Sequence, residues 1–123
     1  MEAAVMKRAL LINDSKFESI IMRDTLSLLG YNVRISDEYC AIKEVQTFLP
    51  DVVIVNYIMK EVFGDQMAAI IKMKDSNIKC MLYSNNPIDN DKLSYKKLDA
   101  VFQTPISQRG MERLMNRLWN GNI

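Results

Sequence analysis

The sequence predicts an α/β protein, a parallel β-sheet covered by helices on both faces. Two observations predict it. Short apolar runs recur along the chain, and segments with helical apolar spacing separate them. Strands that are apolar at consecutive positions belong in sheets buried on both sides, the setting of parallel strands under helices. At 123 residues, the chain has the length of one domain, expected to span 1–123 without a linker or internal repeat.

Arg8-Ala9-Leu10-Leu11-Ile12 is the first strand, and Asn13-Asp14-Ser15 after it signals a loop and a helix start. A helix is expected from Lys16 to Leu29, with Phe17, Ile20, Ile21 and Leu28 as its apolar stripe and Gly30 as its stop. Asn32 to Ser36 is a short second strand. Ala41 to Leu49 is a second helix, ended by Pro50. Val52-Val53-Ile54-Val55 is the third strand, and Asn56 stands where it meets solvent. Gly64 marks a turn before a helix over residues 66–74, with Met67, Ile70, Ile71 and Lys74 on one side.

Lys79 to Tyr83 is the fourth strand, halted by the turn-forming Ser84-Asn85-Asn86-Pro87. A short, weakly amphipathic helix is expected over residues 91–98, with Lys92, Lys96 and Lys97 on its solvated face. Ala100 to Gln103 is the fifth strand, broken by Thr104-Pro105. Ser107 then caps a last helix that buries Met111, Leu114, Met115 and Leu118.

Composition removes several function classes. With 16 basic and 15 acidic residues the net charge is +1, which favours neither nucleic acid nor a membrane surface. No apolar run approaches a membrane span and no signal-peptide layout opens the chain, so a cytoplasmic location is expected. Histidine is absent, and Cys40 and Cys80 are isolated, which removes most zinc and non-haem iron sites. No GxGxxG or P-loop follows the first strand, which argues against a cofactor-binding enzyme.

Taken in order, "NDSKF", "LLGY", "LPDVVIVNYIM" followed by Gly64, and the "TP" dipeptide resemble the receiver domain of two-component response regulators, over roughly residues 7 to 119. The resemblance implies a flavodoxin-like, CheY-like three-layer α/β/α sandwich with strand order 2-1-3-4-5. In that family an aspartate ending the third strand accepts a phosphoryl group from a histidine kinase. The matching residue here is Asn56. The acidic pair that holds Mg²⁺ matches Asn13 and Asp14, the hydroxyl position matches Ser84, and the phosphoryl-binding lysine before Pro105 matches Thr104. The aromatic switch position matches Val101, with Phe102 beside it. Lys60 replaces a proline.

Phosphoryl transfer depends on an anionic nucleophile, a divalent metal and a cation on the transferring oxygens. An amide is a very poor nucleophile, and Asp14 alone is expected to bind Mg²⁺ weakly or not at all. The losses agree with one another, because a buried lysine without anionic partners is costly and Thr104 removes that cost. The sequence therefore reads as a degenerate receiver, not an enzyme, with no cofactor, acting in signal transduction through protein contacts. Its expected partner is a signalling protein or histidine kinase, or a second copy in a homodimer. The expected contact face draws on Tyr95, Lys96, Lys97, Phe102, Met111 and Trp119. The alternative is a working phosphorelay receiver that uses Asp14 or a deamidated Asn56. No DNA-binding output domain is expected within a chain of this length, which leaves open that it is a piece of a longer polypeptide. Plain structural roles also suit these residues: Asn56 as a strand-end cap, Ser84 as a turn residue, Asp14 as a helix-start signal.

Overall fold

The computed structural model describes residues 6–121; the remaining ends of the expected 1–123 domain lie outside the described residues. Strands β1 (Arg8–Ile12), β2 (Asn32–Ser36), β3 (Val52–Asn56) and β4 (Lys79–Ser84) alternate with helices α1 (Lys16–Leu28), α2 (Ala41–Phe48) and α3 (Gly64–Lys74), and β5 (Ala100–Gln103) then follows β4 without an intervening α-helix and leads to α4 (Gln108–Asn120). All strand pairings are parallel, in the expected order β2-β1-β3-β4-β5.

Side chains of a strand alternate between faces, so each central strand feeds two cores. Leu10, Ile12, Val53 and Val55 pack with Val45 and Phe48 of α2 and Met67, Ala68 and Ile71 of α3. Ala9, Leu11, Val52 and Ile54 pack with Met22 and Leu26 of α1 and Met111 and Met115 of α4. Three layers result. Among the described residues no helix is long and apolar enough to cross a membrane.

Two expectations are corrected here. Helix α1 turns Ser19, Met22 and Leu26 inward, while Phe17, Ile20, Ile21 and Leu28 are 74%, 44%, 52% and 79% exposed. Ser19 is buried without loss because its hydroxyl donates to the Ser15 carbonyl at 2.8 Å. Helix α3 likewise uses Ala68 with Met67 and Ile71, and leaves Ile70 and Lys74 in solvent.

The helix expected over 91–98 does not form. A single 3₁₀ turn, Asn90–Lys92, is followed by extended chain. Of the apolar residues Ile88, Leu93, Tyr95 and Leu98, only Tyr95 and Leu98 stand three or four apart, too few for a helical stripe, and Asp89 favours the turn by accepting the Asp91 N–H at 3.0 Å. Leu93 alone plugs fully into the core. The buried Asp65 carboxylate holds the segment by accepting from Ser94 N at 2.7 Å and Tyr95 N at 3.0 Å. Lys92, Lys96 and Lys97 are solvated, though not on a helix.

Candidate functional site

Parallel strands bring their C-terminal ends to one edge, where Asn13, Asn56, Ser84 and Thr104 follow or end β1, β3, β4 and β5. Gly64 allows the loop after β3 to fold close to that edge. A Cβ there would collide with the Asn56 carbonyl oxygen and lie 2.8 Å from Leu82 Cδ1. The Gly64 N–H donates to the Tyr57 carbonyl at 2.7 Å.

The centre of the site is a hydrogen-bonded amide pair. Asn56 Nδ2 donates to the Ile58 carbonyl at 2.9 Å and, more weakly, to Asn13 Oδ1 at 3.4 Å. Asn13 is buried; its Oδ1 also accepts from Ser15 N at 2.9 Å, and its Nδ2 donates to Tyr83 Oη at 2.7 Å. Burial pushes the Tyr83 phenol up to about 12, with the Glu18 charge adding to the rise and the Asn13 hydrogen bond opposing it. Tyr83 in turn stacks on Phe102, ring centroids 5.4 Å apart.

Asp14 Oδ2 accepts from the Lys60 N–H at 3.2 Å, while Asp14 Oδ1 is buried with no hydrogen-bond partner among the described residues. The same Lys60 N–H lies 3.1 Å from Glu38 Oε1. Glu38 is buried, and its two oxygens also take the amides of Glu61 and Val62 at 3.1 Å. Three consecutive backbone amides thus cup a carboxylate supplied by the chain itself. Nothing in the sequence distinguished Glu38 from an ordinary loop residue. The exposed Tyr39 phenol is held above its ordinary value by lost solvation first, then by the Glu61, Glu38 and Asp14 carboxylates.

Ser84 is buried, and its hydroxyl accepts from Asn86 N at 3.1 Å, closing the turn. The Thr104 N–H donates to the Ser84 carbonyl at 2.9 Å, and the Thr104–Pro105 peptide is cis. Asn13 and Asn56 share one hydrogen-bond network, Asp14 joins Glu38 at the Lys60 amide, and Thr104 and Pro105 line an apolar cleft against α1.

Of the residues expected to meet a partner, Lys96 and Lys97 are exposed, and Tyr95 and Phe102 are half-buried. Met111 has no exposure and belongs to the α1–α4 core, which removes it from any contact face. Trp119 is half-buried at the opposite end of the strands, where Nε1 donates to Tyr31 Oη at 2.6 Å and Lys7 Nζ lies 4.1 Å above the ring. Val101 is exposed, while Phe102 points to the α1–α4 side.

A Mg²⁺ site draws on one or two carboxylates with near-octahedral geometry. Here Asp14 brings one, Asn13 and Asn56 bring amides, and the Asn56 nitrogen presents N–H groups to the oxygens that converge there.

No family model and no curated protein matches the sequence. Solved structures do match the fold. The chemotaxis response regulator CheY4 of Vibrio cholerae superposes with a TM-score of 0.82 at 18% identity, over 93% of this chain and 99% of that one. This is the fold of a receiver domain. A CheY-like receiver domain from Methylobacillus flagellatus gives 0.80 at 15% identity, over 93% and 99% of the two chains. The signal receiver domain of the putative regulator NarL from Mycobacterium tuberculosis gives 0.80 at 16%, over 94% and 98%.

Proposed function

We propose that this chain is a degenerate receiver domain that acts in cytoplasmic signal transduction by binding proteins, without conventional aspartyl phosphorylation and without enzymatic activity of its own. The observation that carries this reading is the Asn56 amide. It ends β3 where the resemblance puts the phosphoacceptor, it has no anionic oxygen, and its N–H groups are committed to Ile58 and Asn13. Around it Asn13 is neutral, Thr104 carries no charge, and Asp14 is the one carboxylate of the expected set. Mg²⁺ binding is accordingly weak, and the partner is a signalling protein or a histidine kinase, with a second copy as the alternative.

Incubation with acetyl phosphate and Mg²⁺, followed by intact-mass spectrometry, tests the reading. The expected result is an unmodified chain. Phosphoryl labelling at Asp14, or at position 56 after deamidation, would establish the phosphorelay alternative.

A further inference from the structure

At the opposite edge of the sheet from Asn56, a cavity of about 550 Å³ opens between the C-terminal end of α2, the start of β3 and the connection from α3 to β4. Val45, Leu49, Pro50 and Ile78 give it apolar walls, and Trp119, the one tryptophan of the chain, completes them. Two contacts hold the indole in place: Nε1 donates to Tyr31 Oη at 2.6 Å, and Lys7 Nζ lies 4.1 Å from the ring centroid. The indole N–H is thus satisfied inside the protein, and the ring offers the cavity apolar surface.

The charged part of the lining is negative on balance. Asp51 and Asp75 bring carboxylates, and Lys74 is the one cation. Among the described residues no ion pair includes any of the three. Each carboxylate spends one oxygen on a backbone amide, Asp51 Oδ2 on Arg8 N at 2.8 Å and Asp75 Oδ1 on Asn77 N at 3.0 Å, and keeps the other for a further donor. Helix α2 adds negative potential, because its last turn is short of donors. Pro50 has no N–H for the Gln46 carbonyl, and the Asp51 N–H donates to the Arg8 carbonyl at 2.9 Å instead of to Thr47. The chain answers the next carbonyl, that of Phe48, with a cation: Arg8 Nη1 donates to it at 3.0 Å. The C-terminal ends of α2 and α3 both border the cavity, and helix C-termini favour positive charge.

Small-molecule sites run from roughly 300 to 1,000 Å³ and are mostly apolar with a few placed polar groups. This cavity has that size and that make-up. We propose that it binds a small organic amine as its ammonium ion, with the apolar body against Trp119, Leu49 and Ile78 and the charged head on the Asp51 and Asp75 carboxylates. The indole favours the same class, because its ring attracts cations. The site goes beyond the protein-contact reading and shares no residue with the Asn13–Asn56 network.

NMR titration of the full chain with phenethylamine tests the site, read at the single indole N–H resonance. A saturable shift of the Trp119 indole N–H is expected, with shifts at the Gln46, Asn77 and Ile78 amides. Phenethyl alcohol, neutral and of the same shape, should bind about tenfold more weakly, the scale of one charge-assisted hydrogen bond. Phenylpropionate, an anion, should not bind. Asp51→Asn with Asp75→Asn keeps an acceptor oxygen for each backbone amide, so the spectrum should stay dispersed while the preference for amine over alcohol disappears. Absence of a saturable shift with the amine, an affinity no greater than that of the alcohol or the acid, shifts remote from the cavity, or a preference that survives in the double variant would each overturn the proposal. A lysine acetylated at its α-nitrogen and amidated carries the same head on a protein side chain. If it binds more tightly than phenethylamine, the cavity takes a lysine of another protein and the small-molecule assignment falls. Should the double variant unfold, the ranking of amine, alcohol and acid on the parent chain decides.

Discussion

The side-chain nitrogen of Asn56 lies 3.4 Å from Oδ1 of Asn13, with the Ile58 carbonyl 2.9 Å away on the same nitrogen. Two oxygens converge on a donor. Asn56→Asp replaces that donor by a third oxygen, a charged one, and leaves both acceptors facing it. The expected destabilisation is about 1–3 kcal/mol, the range for a lost partner at a partly buried polar group. Urea unfolding at neutral pH measures it as a lower midpoint with an unchanged slope. A variant as stable as the parent would mean that the amide pair contributes little.

Restoring the nucleophile should not restore the chemistry. Asn56→Asp alone still lacks the carboxylate at position 13 and the cation at 104, and each missing electrostatic contact costs on the order of 3 kcal/mol by analogy with oxyanion-hole deletions. Intact-mass spectrometry with acetyl phosphate and Mg²⁺ should find little labelling of the single variant. Asn56→Asp combined with Asn13→Asp and Thr104→Lys should label measurably. At position 13 the Tyr83 hydroxyl can turn from acceptor to donor, so the new carboxylate keeps that contact. Equal labelling of single and triple variants would mean that the pocket was never dismantled.

The strand order and the site edge were legible because five short apolar runs ended on loop-forming residues in a familiar order. The buried face of α1 was not. Phe17, Ile20, Ile21, Met22, Leu26 and Leu28 surround much of that helix, and periodicity alone cannot select Met22 and Leu26. Glu38 and Asp65 were missed for a different reason. Each carboxylate binds backbone amides more than 20 residues away, a contact that only the tertiary fold creates. Tyr83 had a weak signal, a hydroxyl-bearing residue just before Ser84 at the end of β4.

Gly64 is held by close approach. Its added Cβ would meet the Asn56 carbonyl oxygen and Leu82 Cδ1, and a backbone atom cannot yield as a flexible side chain can. Gly64→Ala should therefore cost at least about 3 kcal/mol, at the upper end of overpacking. Thermal unfolding by circular dichroism would register it. A variant within a few degrees of the parent would mean that the loop after β3 relaxes freely.

Asp65 fastens the segment that took the place of the expected helix. Asp65→Ala removes the acceptor for the amides of Ser94 and Tyr95, whose bonds are 2.7 and 3.0 Å long. Native-state hydrogen exchange should speed up at Ser94 and Tyr95 while protection in β1 and β3 follows the smaller global loss. Uniform acceleration across the sheet would mean that Asp65 supports the whole core and not this segment.

Alkaline stability follows from Tyr83. Its phenol rises from an unfolded value near 10 to about 12 in the fold, so above pH 10 the unfolded chain loses that proton first. The native state then binds more protons than the unfolded one, and stability falls as pH rises. Tyr83's contribution is fully present below about pH 10 and is lost as pH climbs towards about 12, at a slope of up to about 1.4 kcal/mol per pH unit. The Cys80 thiol, pushed up to about 12 mainly by burial, slopes the same way from about pH 9. Tyr83→Phe should start less stable, because Asn13 Nδ2 loses its acceptor, yet decline less steeply between pH 10 and 12. Urea midpoints at several pH values in that window separate the offset from the slope. Parallel declines for parent and variant would mean that Tyr83 ionises in the fold at its ordinary pH, and that the buried hydrogen bond with Asn13 opens readily to water.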